Sequence, residues 1–440
     1  MAFDQIPPEV LAEALERVGS PGWDRFSEML DHTGGCAQPV RLKGRVAHAD
    51  PDSGELHLAY DSTYEPDGVL LKACQSRRAT RCPSCAATYR SDARALVLAG
   101  LVGGKGVPEE VAGRPLVFVT LTAPSFGPVH SETTTAKACH PRAFTCGCGD
   151  SHRCSAHHAP DDPALGRPLC VEVYDYAGAV IWNNRVTELW RRTTISARRE
   201  LAGLLGTSVR AFDYSFRLAY LKVVEYQVRG LIHVHALLRL DPLDRDVNEH
   251  DAAMLATAVL GAAGRVTAPN PIPQGPSIRW GDRIEVDVVP IDGRPRLAGY
   301  LSKYTTKSID AGGALDHRLK RDDVTRLPVD EHLQRLVKAC WDLGADPRLR
   351  RYRFREWAHT LGFRGHWLTK SPNWSTTLTA LRQARHDYQL QRTRTEPASG
   401  VPLAEWTYAG QGHQTDGDAW LAESTAAQQY RNRRTAWEER

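Results

Sequence analysis

The sequence predicts an α+β fold, an antiparallel sheet with flanking helices, interrupted by cysteine-rich segments. Three observations carry this. Residues 216–227 (FRLAYLKVVEYQ) and 230–240 (GLIHVHALLRL) are apolar, β-rich runs meeting at Arg229-Gly230, the spacing of an antiparallel hairpin. Residues 116–124 (LVFVTLTAP) are β-branched and apolar and end at a proline, as a buried strand does. From Trp182, the residues Val186, Leu189, Thr193, Ala197, Leu201 and Leu204 keep helical spacing, with Arg191, Arg192, Arg198 and Arg199 off the stripe. That is a long amphipathic helix with a basic outer side.

The other elements follow in order. Residues 7–18 (PPEVLAEALERV) place Pro in a first turn and keep an apolar stripe, predicting a short helix. Residues 128–170 are polar, rich in Pro, Cys and His, and without a sustained period, so they form an insertion held by metal. Residues 246–280 are mixed and carry a Pro-rich run at 268–276. RIEVDVV (283–289) alternates as a strand, and RLAGYLSKYTTKS (296–308) reads as a helix. From Pro347 to Arg394 there are ten Arg and Lys370 against Glu356 and Asp387. After about residue 395 the chain reads as a loose polar tail with a weak helix.

Composition narrows the function. The 440 residues are 25% charged and 42% apolar, ordinary for a soluble globular protein and too many for one core. The expected division is an N-terminal zinc-binding region at 1–110, a central domain at 111–310 with its insertion at about 128–170, and a basic, mainly helical region and tail at 311–440. No run approaches 18 apolar residues, and MAFDQIPPEV lacks a basic segment followed by an apolar core. A cytoplasmic protein without a membrane partner is expected. The net charge of +4 is too mild to indicate a partner.

Ten cysteines in a reducing compartment favour metal or redox chemistry over disulfides. Cys82 and Cys85, spaced C-x-x-C, can join Cys36 and Cys74 in one tetrahedral zinc site. A redox role for Cys82-Pro83-Ser84-Cys85 is the alternative, and the absence of a thioredoxin-like βαβ pattern turns the balance to zinc. Within the insertion, one zinc bound by Cys139, Cys154, Cys170 and His157 is expected. Cys340 stands alone, as a small buried side chain.

The strand Ile232-His233-Val234-His235-Ala236 turns both imidazoles to one face and its apolar residues to the other. Two histidines on a rigid strand make a platform for a divalent ion, Mg²⁺ or Mn²⁺, and Glu225 or Gln227 on the neighbouring strand offers an oxygen ligand. Alone, the pattern equally describes two surface histidines. On the 296–308 helix, Tyr300 and Tyr304 lie four residues apart and share a face, with Lys303 and Lys307 as a second such pair. A tyrosine nucleophile needs help, because its ordinary pKa is about 10. A metal and nearby lysines supply that help at a phosphodiester. Two rings packed on an amphipathic helix is the bland alternative.

The order Thr120-Leu121-Thr122, then His233-Val234-His235, then Tyr300…Lys303-Tyr304 resembles the HUH endonucleases. The segments E-Y-Q-x-R-G-x-x-H-x-H, L-T-A-P-S-F-G-P-V-H and G-Y-L-S-K-Y-x-x-K resemble the rolling-circle replication initiators of actinomycete plasmids. The similarity extends to Cys82-Pro83-Ser84-Cys85, Tyr174-Asp175-Tyr176, Leu189-Trp190-Arg191-Arg192 and Gly362-Phe363-Arg364-Gly365-His366, and covers most of 36–385.

The resemblance implies an HUH core, and an enzyme that nicks one strand at a plasmid origin. His233 and His235 would bind the catalytic ion. Tyr304, beside Lys303, would link to the 5′ phosphate and free a 3′-OH. Tyr300 stands where one-tyrosine relatives carry glutamate, implying a second tyrosine for the closing transfer. Origin DNA, single-stranded or hairpin at the nick, is the implied partner, with host helicase and polymerase acting downstream. The basic 347–394 region interleaves Arg with Tyr352, Phe354, Trp357, Phe363, Trp367 and Trp374 and is expected to contact DNA. Arg364, Lys370 and, on the tyrosine helix, Lys307 are its candidate phosphate contacts. A relaxase or transposase with the same chemistry, and a non-catalytic zinc-containing DNA-binding regulator, are the rival classes.

Overall fold

The computed structural model describes residues 6–133, 137–243, 250–310, 317–393 and 401–438, with 303–310, 388–393, 433–434 and 436–438 described by backbone alone. Helices α1 (Pro8–Val18) and α2 (Trp23–Thr33) come first, then strands β1 (Val40–Ala49), β2 (Leu56–Asp61) and β3 (Leu70–Lys72) and helix α3 (Pro83–Val102). Strand β4 (Leu116–Leu121) is followed by the short hairpin β5 (His140–Thr145) and β6 (Ser151–Cys154). Next come α4 (Tyr176–Leu204), α5 (Val209–Ser215), the hairpin β7 (Phe216–Tyr226) and β8 (Ile232–Pro242), and α6 (Asp251–Arg265). The chain continues through β9 (Ile284–Val288), α7 (Arg294–Asp310), α8 (Glu331–Leu343), β10 (Leu368–Lys370), α9 (Leu378–Thr393), β11 (Val401–Gln411) and α10 (Asp416–Glu438).

These elements form two compact units, Met1–Ala93 with Leu378–Arg440, and Arg94–Thr377. The expected boundaries at 110 and 310 are not those of the units. Residues 94–110 and 311–377 belong with the central segment, while the last stretch belongs with the first 93 residues. In that first unit β1 is the spine, paired antiparallel to β11 along its whole length and to β2 and β3 on its other edge. Phe26, Met29 and Leu30 of α2 cluster with Ala14, Val69, Leu71, Leu421 and Ala422. Arg17 binds Asp418 (Nε–Oδ1 2.8 Å) and Asp67 (Nη2–Oδ2 2.8 Å), and its hydrogen bond to buried Asp418 raises its pKa. A strand, β11, thus stands where a loose tail with a weak helix was expected, while helices α8, α9 and α10 make up most of the regular structure described beyond residue 310.

The second unit is built on a five-stranded antiparallel sheet in the order β10-β7-β8-β4-β9. The apolar alternation of β7 and β8 fixes its sides. Val224, Val234, Ala236 and Leu238 share a core with α4, α6 and α8. On α4 the expected stripe is buried from Trp182 to Leu201, whereas Leu204 is exposed. Asp175 caps this helix, its Oδ1 accepting from the Gly178 amide at 2.7 Å. Helix α6, poor in signal because Ala and Gly fill it, buries Leu255, Ala258, Val259 and Ala262.

Two buried asparagines of α4 anchor the hairpin turn and the 352–362 segment to the helix. Asn183 donates to the carbonyls of Gly230 (2.9 Å) and Leu361 (3.0 Å) and accepts from the Ile232 amide (3.0 Å). Asn184 donates to those of Tyr352 and Gly362. Gly230 turns the chain at φ +73°, and a Cβ there would meet Leu336 Cδ1 at 2.5 Å, so the turn needs glycine. No helix among the described residues is long and apolar enough to cross a membrane.

Candidate active site

The sheet face opposite the α4 side carries a row of chemistry-bearing residues. Antiparallel register sets Val223 of β7, His235 of β8, Thr120 of β4 and Glu285 of β9 side by side, with Glu225 opposite His233. Paired residues of an antiparallel ladder point the same way, and Thr120, His233, His235 and Glu285 line one cleft of about 580 Å³ with Phe118, Arg229 and Tyr300. Helix α7 delivers Tyr300. Its ring stands edge-on to His235 (centres 6.0 Å apart) and to Phe118 (6.1 Å), and Phe118 stacks on His235 at 5.6 Å.

The donor atoms of Glu225, His233 and His235 all lie within 4.8 Å of one another. Glu225 Oε1 is 3.3 Å from His235 Nε2, and Thr120 Oγ1 is 3.3 Å from His235 Nδ1. An ion bound at Nε2 would leave the Nδ1 proton for Thr120 to accept, the usual way a metal-bound imidazole is oriented. Burial, then the neighbouring His235, lowers the His233 pKa to about 4, so this ring is neutral with a lone pair available. Two imidazoles and one carboxylate on an open cleft suit a divalent ion with positions left for substrate.

Gln227 has a different part from the one expected of it. Its Oε1 accepts from Arg229 Nε at 2.9 Å and its Nε2 lies 3.3 Å from His233 Nδ1. The amide oxygen is thus committed to Arg229 and only an N–H donor faces His233, so Glu225 is the oxygen donor that faces the imidazoles. Arg229, half-buried, also donates to the carbonyls of Ala123 (3.1 Å) and Pro124 (3.3 Å), and burial lowers its pKa.

The side chains of Lys303, Tyr304 and Lys307 lie outside the described residues; their backbone continues α7. Arg364 Nη1 donates to the Arg351 (3.1 Å) and Tyr352 (3.3 Å) carbonyls, and Lys370 Nζ to that of Ser375 (2.8 Å). Both are thus tied into their own loops. Glu285 and Asp287 also line the cleft from β9, and the alternation of RIEVDVV puts both on one strand face.

A family model described as replication initiator protein, pSAM2, matches residues 22–427. The chain belongs to this replication initiator family. A replication initiator protein of Streptomyces ambofaciens is 40% identical to it, over 98% of this chain and 96% of the relative. No solved structure matches.

Three further ligand groups stand in this replication initiator. Cys36, Cys74, Cys82 and Cys85 converge, with Cys36 Sγ 3.8 Å from Cys82 Sγ and 3.6 Å from Cys85 Sγ. Four thiolates about 2.3 Å from one tetrahedral zinc stand about 3.8 Å apart, so the cluster fits that ion. Its sulfurs share protons unevenly: the hydrogen bond with Cys36 draws Cys82 far down and Cys74 to about 7. The insertion holds two groups in place of the expected one. His130, Cys139, Cys154 and His158 form the first, and Cys146, Cys148, His152 and Cys170 the second. Cys170 is therefore apart from Cys139 and Cys154, and exposed His157 belongs to neither, since its buried neighbour His158 turns inward.

Proposed function

We propose that this chain initiates plasmid replication by nicking one origin strand with a tyrosine, as an HUH endonuclease. What carries the reading is the convergence of His233, His235 and Glu225 beneath the tyrosine helix α7, in a chain that belongs to a replication initiator family. Tyr304 attacks the scissile phosphorus, and the bond to the 3′ oxygen breaks. The product is a 5′-phosphotyrosine link and a strand ending in 3′-OH, which takes up a proton and primes a host polymerase behind a host helicase. Tyr300 performs the closing transfer by the same exchange. Lys303 offsets charge on the phosphorane.

Mg²⁺ or Mn²⁺ held by His233, His235 and Glu225 would polarise the phosphoryl oxygen. Thr120 orients the His235 imidazole. The half-buried Arg229 guanidinium has, among the described residues, only carbonyl and amide oxygens as hydrogen-bond partners, so it adds positive charge to the cleft that receives the phosphate. Zinc at Cys36, Cys74, Cys82 and Cys85 is structural. The basic 347–394 segment contacts origin DNA, with exposed Arg364 and half-buried Lys370 among its candidate phosphate contacts.

The test is incubation with single-stranded origin DNA and Mn²⁺, resolved on a denaturing gel, with the adduct mapped by peptide mass spectrometry. A covalent adduct on an α7 tyrosine is expected. Binding without an adduct would leave the chain a DNA-binding regulator.

A further inference from the structure

The insertion between β4 and α4 holds few buried apolar residues among those described. What converges inside it is sulfur and imidazole. At the base of the β5–β6 hairpin, His130 Nδ1 lies 3.0 Å from His158 Nε2, and Cys154 Sγ lies 3.2 Å from the same nitrogen. Cys139 completes this group from the strand start, where His140 pairs with Cys154. At the hairpin tip, Cys170 Sγ is 3.5 Å from Cys146 Sγ and 3.6 Å from Cys148 Sγ. His152 Nε2 is 3.3 Å from Cys148 Sγ, and Cys146 and Cys148 stand within disulfide-bonding distance of each other. The tip turn is tight, with Gly149 at φ +94° and its amide donating to the Cys146 carbonyl at 3.0 Å.

We propose that the insertion binds two zinc ions, one at each end of the β5–β6 hairpin: a Cys₂His₂ site of His130, Cys139, Cys154 and His158, and a Cys₃His site of Cys146, Cys148, His152 and Cys170. Each group has four soft or borderline donors, the composition of closed structural zinc sites, and all but the Cys146–Cys148 pair stand near tetrahedral-edge separations. The first has an outer partner as well. Asp162 Oδ2 lies 2.6 Å from His158 Nδ1, fixing the ring so that Nε2 faces the other ligands. Strand rise sets the ions on the order of 15 Å apart, too far to share a ligand. The ligands interleave in sequence, because Cys154 and His158 of the first site fall between His152 and Cys170 of the second. Neither ion can leave without loosening the loops that present the other. The two ions serve where a hydrophobic core would otherwise be needed.

The test is zinc stoichiometry of the full chain, purified under reducing conditions. Three zinc ions per chain are expected, counting the four-cysteine site of the other unit. Cys154→Ser and Cys170→Ser should each lower the count, and His158→Ala should lower it where His157→Ala does not. Cobalt-substituted protein should show thiolate charge-transfer intensity for nine cysteines, four at Cys36, Cys74, Cys82 and Cys85, two at the first site and three at the second. If a variant fails to fold, alkylation of the wild type with and without chelator decides. Cys139, Cys154, Cys146, Cys148 and Cys170 should all be protected until zinc is removed. Two zinc ions per wild-type chain would overturn the proposal. So would recovery of Cys146 and Cys148 as a disulfide with Cys170 freely alkylated. Because none of these readouts uses DNA cleavage, the result stands apart from the nuclease reading.

Discussion

The Tyr300 ring stands edge-on to the His235 imidazole, 6.0 Å centre to centre, with Phe118 stacked on the imidazole's plane. A phenol so placed is beside the candidate metal ligands before any DNA arrives, and Tyr304 lies one helical turn further along α7. Replacing each with Phe removes only the oxygen. Tyr304→Phe should abolish the first nick and its adduct on single-stranded origin DNA. Tyr300→Phe should leave the nick largely intact and block rejoining. An adduct mapped to Tyr300 in the wild type would reverse the order of use, and unaltered nicking and rejoining by both variants would remove the tyrosines from the chemistry.

Glu225 and Gln227 sit on one strand face and should separate under mutation. Glu225→Ala removes a direct donor and should abolish Mn²⁺-dependent nicking, while origin binding, carried by phosphate contacts elsewhere, persists. Gln227→Ala removes only an N–H donor facing His233, so Mn²⁺ affinity and nicking should be largely kept. A titration of nicking rate against Mn²⁺ reads both. Equal loss in the two variants at saturating metal would place Gln227 on the ion.

Lys222 is buried on the α4 side of β7, its Nζ 5.9 Å from the centre of the Trp190 ring. Burial lowers its pKa from 10.5 to about 8. Because the folded value lies below the unfolded one, the penalty for burying the ammonium is complete below about pH 8. It shrinks as pH rises and is gone above 10.5. Lys222→Met should therefore stabilise the protein at pH 7, by about 3 kcal/mol from the size of the shift. Thermal melts at pH 7 and pH 10 check it: the advantage must narrow at the higher pH.

Cys36→Ser takes one ligand from a site whose Cys36 and Cys82 are fully buried. The apolar cluster of that unit is small, so hydrogen exchange should accelerate across residues up to 93 and from 378 onward. Peptides within 94–377 should keep their protection. Unchanged exchange in the first set would mean that the four cysteines hold no structural ion.

Where local pattern sets structure, the sequence was readable. The β7–β8 hairpin, the α4 stripe and α7 each carry their period within a dozen or so residues, and the histidine face follows from alternation alone. The ladder β1–β11 escaped because its partners lie far apart in the chain and β11 is exposed along most of its length, so no apolar alternation marks it. Helix α6 escaped because alanine and glycine blur its stripe. The choice of Glu225 over Gln227 depended on Arg229 capturing the amide oxygen, and the division of the insertion's ligands on how a hairpin folds back, neither of which spacing encodes.

The β1–β11 ladder has a consequence for synthesis. Residues 40–49 leave the ribosome long before 401–411 exist, a wait of roughly 20 to 70 s at ordinary elongation rates. Throughout it the growing polypeptide displays a bare strand edge, the kind of surface that recruits chaperones or neighbouring nascent chains. Translation halted after residue 377 would release every residue of the histidine-bearing unit with that edge never closed.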